Sequence, residues 1–507
     1  MAASASLHVG GGVLQPTSDA ALYCAARRLV RPTSQPLRIA CLGTSITAGH
    51  RDRPETRFPS MLQRMLKQQY PRAGAQVLGY GYPGASAQYL HGCINRMVPL
   101  ADVYVVELAD NFLSSRAAYV EAGELVARIV LNLRQRAHPA GASRVGSAVI
   151  LLAPFAQSCS KQLLRTRGFE HLPVDLKSVG RSIDECLDPN STLPAVMEAF
   201  AAQHGVACVS VRHAVAPQLR RTQNTTHALR ELLASFLHDD LVHPNSEGLR
   251  MIAQMLVQTL ALAAARAPPP IVGAVSCDLP GAAGAAPSTR VESADGPGRV
   301  GARQPEGAMA WRPTYPTENA SAPSGRVCAM GDGLRAHVLS ARGWEYELEW
   351  SSQRQPKPGY IARSPGASLD VCFRPLRGTR EAAARWFQFA FLRSYQGMGM
   401  VHGSCVAGCT CPSRTFNAHH ASHVSEVVVS KLKDVSLRRT RAAVPQPCPC
   451  AIRLRVLNQT DSRGHKFKLV ALFAGMRMYN PNFALCGHSR CLEKSKPLAP
   501  TPPRPHQ

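Results

Sequence analysis

Between residues 36 and 267 short apolar runs alternate with segments of helical period, and this alternation narrows the fold more than any other feature of the 507-residue chain. Runs at 37–42, 75–78, 103–108, 147–152 and 206–211 read as strands; segments at 58–69, 119–136, 193–204 and 247–266 read as helices. The run at 103–108, Val-Tyr-Val-Val-Glu-Leu, is nearly continuous in apolar character, as a strand covered on both faces should be. Strands that alternate with helices build a parallel sheet with helices on both faces, here of five strands. Ligands of such sheets bind outside the carboxyl ends of the strands.

Three short segments fall at those ends: Gly43-Thr44-Ser45-Ile46-Thr47-Ala48-Gly49, Gly81-Tyr82-Pro83-Gly84 and Ala109-Asp110-Asn111. A fourth, Asp240-Leu241-Val242-His243-Pro244, precedes the last helix. Together they supply the parts for acyl transfer from an ester. A serine hydroxyl needs a base to take its proton as it attacks, and His243 can serve Ser45. Asp240, three residues earlier, can fix the imidazole tautomer from the same loop. The N–H of Ser45, the N–H of Gly81 and the side-chain amide of Asn111 are the natural donors to an oxyanion. Each also has a plainer reading. Ser45 could cap a helix starting near Ile46, Asn111 and Gly84 could serve turns, and Asp239 reads as a solvated neighbour. His50, Tyr82 and Phe112 lie beside the segments as candidate pocket residues.

In order and content these segments resemble the SGNH hydrolase (GDSL-type esterase/lipase) superfamily, over a little under half of the chain. Its Ser, Gly, Asn and His correspond to Ser45, Gly81, Asn111 and His243, with Asp240 in the Asp-x-x-His motif, and Glu107-Leu108-Ala109-Asp110-Asn111 is similar to the third block of plant and algal members. The resemblance implies a three-layer α/β/α, flavodoxin-like fold and an ester hydrolase without metal or organic cofactor. Thr44 stands where Asp is common before the nucleophile, Gly79 where the second block usually has Asn, and Phe112 where Asp often follows the third.

The remaining chain divides by composition. Residues 1–35 read as an N-terminal extension. Residues 268–325, rich in Pro, Gly, Ala and Ser without hydrophobic period, read as a disordered linker, and 476–507 as a disordered tail. Between them, 326–475 carries period-two sets such as Ile452, Leu454, Val456 and Phe467, Leu469, Ala471, Phe473, which predict an antiparallel β-sandwich. A sandwich appended to a hydrolase suggests a glycan contact. The expected substrate is therefore an acyl ester, an acetyl ester among them, of a polysaccharide or other polyol. An O-acyltransferase, a lipid or lysophospholipid esterase, and a catalytically silent glycan-binding protein remain open.

The net charge of +25 is spread along the chain, and no block resembles a basic helix or RNA-binding motif, so nucleic acid is not an expected partner. The 16 cysteines divide into isolated ones in apolar runs, such as Cys41 and Cys208, expected as buried thiols, and two late clusters, Cys405/Cys409/Cys411 and Cys448/Cys450. One-residue gaps suit zinc poorly, so disulfides joining the two clusters are expected and no metal is. Four sequons (Asn190, Asn224, Asn319, Asn458) point with them to a secretory route, although the first 40 residues hold no apolar signal-like core. No stretch reads as a membrane span, and His419-His420 reads as an exposed loop.

Overall fold

The computed structural model describes residues 9–14, 19–31, 35–108, 116–136, 146–155, 193–222, 226–240, 242–266, 327–350, 356–373, 387–420, 425–437 and 448–474. Asn111, Phe112, the linker 268–325 and the tail 476–507 lie outside them.

Strand β1 (Val13–Leu14) and helix α1 (Ala20–Val30) precede β2 (Arg38–Gly43), the four-residue helix α2 (Ser45–Ala48) and α3 (Phe58–Gln69). There follow β3 (Gln76–Gly81), α4 (Ala87–Met97), β4 (Val103–Glu107), α5 (Arg116–Arg134) and β5 (Ala148–Ala153). The layer ends with α6 (Leu193–His204), β6 (Ala207–Ser210), α7 (Val211–Arg221), α8 (Thr226–Phe236) and α9 (Ser246–Ala265). The sheet runs β1-β6-β5-β4-β2-β3. The five expected strands are all present and all parallel. The expectation of five strands needs one correction: β1 joins the edge antiparallel to β6, pairing Val13 with Val209 and Leu14 with Cys208, so the sheet has six strands and is mixed. A two-residue strand has no period to read, and it forms because the β6 edge offers unpaired backbone groups.

Alternate residues of each central strand face opposite helical layers. Ile39, Cys41, Val103, Val105, Ile150 and Leu152 pack with α1, α3 and α9 in one buried core. The long helix α9 is apolar and long enough to cross a bilayer by length and composition, although Gln254 and Gln258 give its stretch Met251–Ala265 the reading of an amphipathic helix. Here its Leu249, Ile252, Leu256 and Leu260 are buried in that core. Helix α1, placed ahead of the expected boundary at 36, contributes Leu22, Ala25, Ala26 and Leu29 to it. Its two arginines are accommodated at the rim, Arg27 over the Tyr23 ring and Arg28 on Asp102.

Between residues 327 and 474 the described residues form a two-stranded sheet of Cys409–Thr410 and Ser436–Leu437 and two large antiparallel sheets. One runs Glu426–Leu432, Phe387–Arg393, Phe467–Ala474, Pro356–Ala362, Trp344–Trp350, with Val327–Met330 also on Phe467–Ala474. The other runs Arg414–Asn417, Met400–Ala407, Cys450–Val456, Ser368–Phe373, Val338–Arg342. Both sheets feed one core, in which Phe389 and Phe391 of the first meet Phe416 of the second. The cysteine clusters pair otherwise than expected. Cys409–Cys450 does join them, but Cys405–Cys411 closes within the first and Cys372–Cys448 reaches outside both. Period and spacing could not show that Cys372 ends up beside residue 451 in the ladder. Cys41 and Cys208 are buried free thiols.

The α/β layer and the β-rich region belong to one compact unit. A disulfide joins Cys93 of α4 to Cys328, Tyr89 meets Phe473 edge to face, and the Val427 N–H donates to the Gly84 carbonyl at 2.9 Å.

Candidate active site

In the strand order, β2 lies between β3 and β4, the point where connections leave to opposite sides and a crevice opens at the carboxyl ends. Ser45 follows the end of β2. The strand finishes on Gly43, where a Cβ would collide with the side chains of Thr47 and Glu107, so only glycine lets the next turn form so close to β4. Thr44 takes the cap position of α2 without using its hydroxyl on the helix. Ser45 is the first helical residue, 7% exposed, and its Oγ lies 2.9 Å from His243 Nε2. The capping role is thus not the one its hydroxyl plays.

His243 is presented by a closed loop between α8 and α9. Asn245 caps α9 by accepting from the N–H groups of Glu247 and Gly248 at 3.0 Å, and donates back to the carbonyls of Ala234 and Leu237. The His238 N–H donates to the His243 carbonyl at 2.8 Å, and Leu237 bridges to Pro244. Asp240 fills this loop. Its Oδ1 accepts from the N–H groups of Val242 (2.9 Å) and His243 (3.0 Å), and its Oδ2 from His243 Nδ1 at 2.8 Å. Burial alone would push the Asp240 carboxyl up; the hydrogen bonds from the His243 ring, its N–H and the Val242 N–H outweigh burial and hold it well below the usual carboxylate range. An ionised Asp240 on Nδ1 leaves Nε2 free to accept the Ser45 proton. Asp239, 81% exposed, instead pairs with Arg51.

His50, a candidate pocket residue from the sequence, and three residues without a predicted role, Arg51, Asp52 and Glu107, shape this geometry. The His50 ring lies tilted on that of His243, centroids 4.5 Å apart. Burial and then the charge of His243 push His50 down to about 4, only partly offset by Asp240, with Lys357 and Arg51 lowering it further. It is therefore neutral above that pH, and a cation of the β-rich region is felt at the site. Arg51 bridges Asp239 and Asp240, and holds a left-handed backbone (φ 72°) that a non-glycine residue adopts at a cost of about 1 kcal/mol or more. Asp52 anchors the loop of His243 through His238 Nε2 at 3.1 Å. Glu107, fully buried at the end of β4, accepts from Thr44 and Thr47. A carboxylate closing an otherwise apolar strand was the available signal for it, since such a group is buried only when paired.

Gly81 ends β3 beside Gly43 of β2. A Cβ there would fall on the Ala48 backbone, so its lack of side chain is demanded by α2 as well as by any substrate. The Tyr82 N–H donates to the Gly43 carbonyl at 2.9 Å, tying the second segment to the first. Gly84 has a φ of 78°, and Ala85 bridges in parallel to Val427. The structure therefore brings Ser45, His243 and Asp240 into one hydrogen-bonded line with Gly81 against the helix that carries Ser45; Asn111 falls outside the described residues. Among the described residues, the sulfurs of Cys405, Cys409 and Cys450 cluster closely enough for a metal, but all three are in disulfides and offer no thiolate. A shallow groove of about 540 Å³ lined by Met65, Gln68, Gln254 and Val257 contains none of the site residues.

No protein-family model matches the sequence, and no curated protein matches it. Among solved structures, a two-domain esterase active on acetylated mannans is similar with a TM-score of 0.54 at 14% identity, over 92% of this chain and 98% of that one. The same kind of esterase co-crystallised with mannopentaose gives 0.53 at 13% identity, over 92% and 99%. An acetylxylan esterase from Geobacillus stearothermophilus covers 44% of this chain and 94% of its own, at 16% identity and a TM-score of 0.29. At these identities the likeness to the two-domain esterase is one of fold, and it extends over both the α/β layer and the β-rich region.

Proposed function

We propose that this chain is a serine esterase that removes an acyl group, acetyl foremost, from a polysaccharide or other polyol through an acyl-enzyme. The observation that carries this reading is the unbroken line Asp240–His243–Ser45, with contacts of 2.8 and 2.9 Å. Ser45 Oγ attacks the ester carbonyl carbon while His243 Nε2 takes the hydroxyl proton. Asp240, held ionised, stabilises the imidazolium formed. The oxyanion is met by the N–H groups of Ser45 and Gly81 and the amide of Asn111, each donor being worth about 3–4 kcal/mol in reactions of this type. His243 returns its proton to the departing alkoxide, and the alcohol leaves. Water, deprotonated by His243, then attacks the acyl-enzyme and regenerates Ser45.

The SGNH reading of the four segments supports this scheme, since the same residue types recur in the same order. The polysaccharide substrate is supported by the two-domain fold shared with an esterase active on acetylated mannans. The test is hydrolysis of p-nitrophenyl acetate and of acetylated mannan by wild type beside Ser45→Ala, with a fluorophosphonate probe located by peptide mass spectrometry. Acetate release, labelling at Ser45 and loss of both in the variant are expected. Turnover retained in Ser45→Ala, or an inert and unlabelled folded wild type, would overturn the scheme.

A further inference from the structure

Glu107 has no part in the chemistry above, yet it is the fully buried carboxyl group nearest the turn that bears Ser45. Its Oε2 accepts from the N–H of Thr44 at 2.7 Å, the N–H of Thr47 at 3.2 Å and the hydroxyl of Thr47 at 2.9 Å. Its Oε1 accepts from the hydroxyl of Thr44 at 2.9 Å. These donors lie on either side of Ser45, so one side chain grips the turn before and after the nucleophile. Gly43 independently fits this grip, because any side chain there would displace both Glu107 and Thr47. The grip also crosses the sheet, from the end of β4 to the end of β2, at the strand pair flanking the crevice.

Two roles are compatible with a buried carboxyl group here. It could supply a negative charge that raises the basicity of the site, or it could act only as a hydrogen-bond acceptor that fixes the turn. The contact pattern separates them. Three of the four donors bond Oε2 alone, and the fourth is a hydroxyl that can rotate, shared between Oε1 at 2.9 Å and Oε2 at 3.2 Å. A glutamine carbonyl in place of Oε2 would keep those three, and its NH2 would face a Thr44 hydroxyl free to turn round and accept. Charge is thus not needed to hold the turn.

We propose that Glu107 is a positioning residue that holds Ser45 in line with His243 through hydrogen bonds alone, not through its charge. Burial pushes its carboxyl up against the pull of the Thr44 and Thr47 hydrogen bonds, consistent with a role that does not require ionisation. Displacement of a reacting group by about 1 Å costs on the order of 100-fold in rate, which sets the scale of the effect.

The inference rests on the esterase reading, so wild type and Ser45→Ala are assayed in the same series. Failure of the esterase reading shows in those two proteins, and failure of the clamp only in the others. The full chain is made as Glu107→Gln and Glu107→Ala, and kcat, KM, the pH–rate profile and fluorophosphonate labelling are measured. Glu107→Gln is expected to keep kcat within about threefold and leave the profile midpoint in place, while Glu107→Ala loses about 30-fold or more in kcat and labelling rate with KM little changed. Should Glu107→Ala not fold, Thr47→Val removes one donor and is expected to lower kcat by about three- to tenfold. A glutamine variant as impaired as the alanine one, or with a displaced pH profile, would show that the charge is used and overturn the proposal. So would an undiminished kcat in Glu107→Ala or Thr47→Val.

Discussion

In the α/β layer the sheet is covered by helices, and its central cysteines, Cys41 and Cys208, stay reduced and buried. In the β-rich region two sheets cover each other, and three disulfides, Cys372–Cys448, Cys405–Cys411 and Cys409–Cys450, gather at one end of the second sheet. The first gains its order from apolar layers that a long alternating sequence can specify; the second adds cross-links at the ends of its strands Ser368–Phe373, Met400–Ala407 and Cys450–Val456. Function follows the same division. The proposed reacting groups all belong to the α/β layer, Ser45 in the first turn of α2 and Asp240 and His243 in the loop before α9, whereas the β-rich region contributes a backbone donor, Val427, to the turn after Gly81 and a lysine charge near His50. In the proposed scheme one region carries the chemistry and the other braces it.

The sharpest way to break that comparison is at the base. His243→Ala should lower kcat by about 10⁴-fold or more in the ester assay and move the melting temperature by no more than about 2 °C. A variant in the β-rich region with an equal loss and intact stability would end the distinction. Next in size is Phe389→Ala, which removes a fully buried ring in contact with Phe416 at 4.8 Å and should cost about 3–5 kcal/mol in urea unfolding. The molecules that remain folded should keep their kcat, which active-site titration beside the rate will show.

A third effect concerns pH. His50 titrates at about 4 when folded against 6.5 in the free side chain, so the unfolded chain takes up its proton first. Stability from this residue is complete above pH 6.5 and falls as pH drops toward 4. With solvent screening the loss should be about 1–2 kcal/mol, and His50→Gln should flatten unfolding free energies across that window. An unchanged slope in the variant would mean that His50 binds its proton equally in the folded and unfolded chain. The smallest effect belongs to Val427→Pro. Its N–H points away from its own sheet, so proline is tolerated there, but the Gly84 carbonyl loses a donor and kcat should fall by about threefold. An unaltered kcat would reduce the brace to a passive contact.

The alternation between 36 and 267 disclosed all five parallel strands and the helices Phe58–Gln69 and Leu193–His204 to the residue. Those elements carry long periodic patterns, and nothing nearby competes with them. What went unread has local causes. The pair β1 and α1 falls in the stretch that reads as an extension: Val13–Leu14 is too short to show a period, and Arg27 and Arg28 interrupt the apolar face of Ala20–Val30. Strand β3 runs past its expected end at 78: Gly79-Tyr80-Gly81 has the composition of a turn, yet β2 pairs with it as far as Gly81. In the candidate site, Ser45, His243 and Asp240 were legible because each sits in a short segment with a distinct composition. Glu107 lies in such a segment too, but its partners are 60 and 63 residues away, and no spacing rule links them. The contact of Val427 with Gly84 joins still more distant segments through backbone atoms, which leave no mark on side-chain patterning.

The bond between Cys93 and Cys328 also sets a schedule. The two residues are 235 positions apart, and at roughly 5–20 residues per second a ribosome needs on the order of ten to fifty seconds to bring out the second after the first. During that interval Cys93 is without its final partner while other cysteines emerge between them. A molecule whose synthesis stops before residue 328 keeps that thiol open on α4, beside a Gly84 carbonyl with no strand to meet it. Oxidation of Cys93 to its proper partner thus records that the chain has been made at least as far as the first strand of the β-rich region.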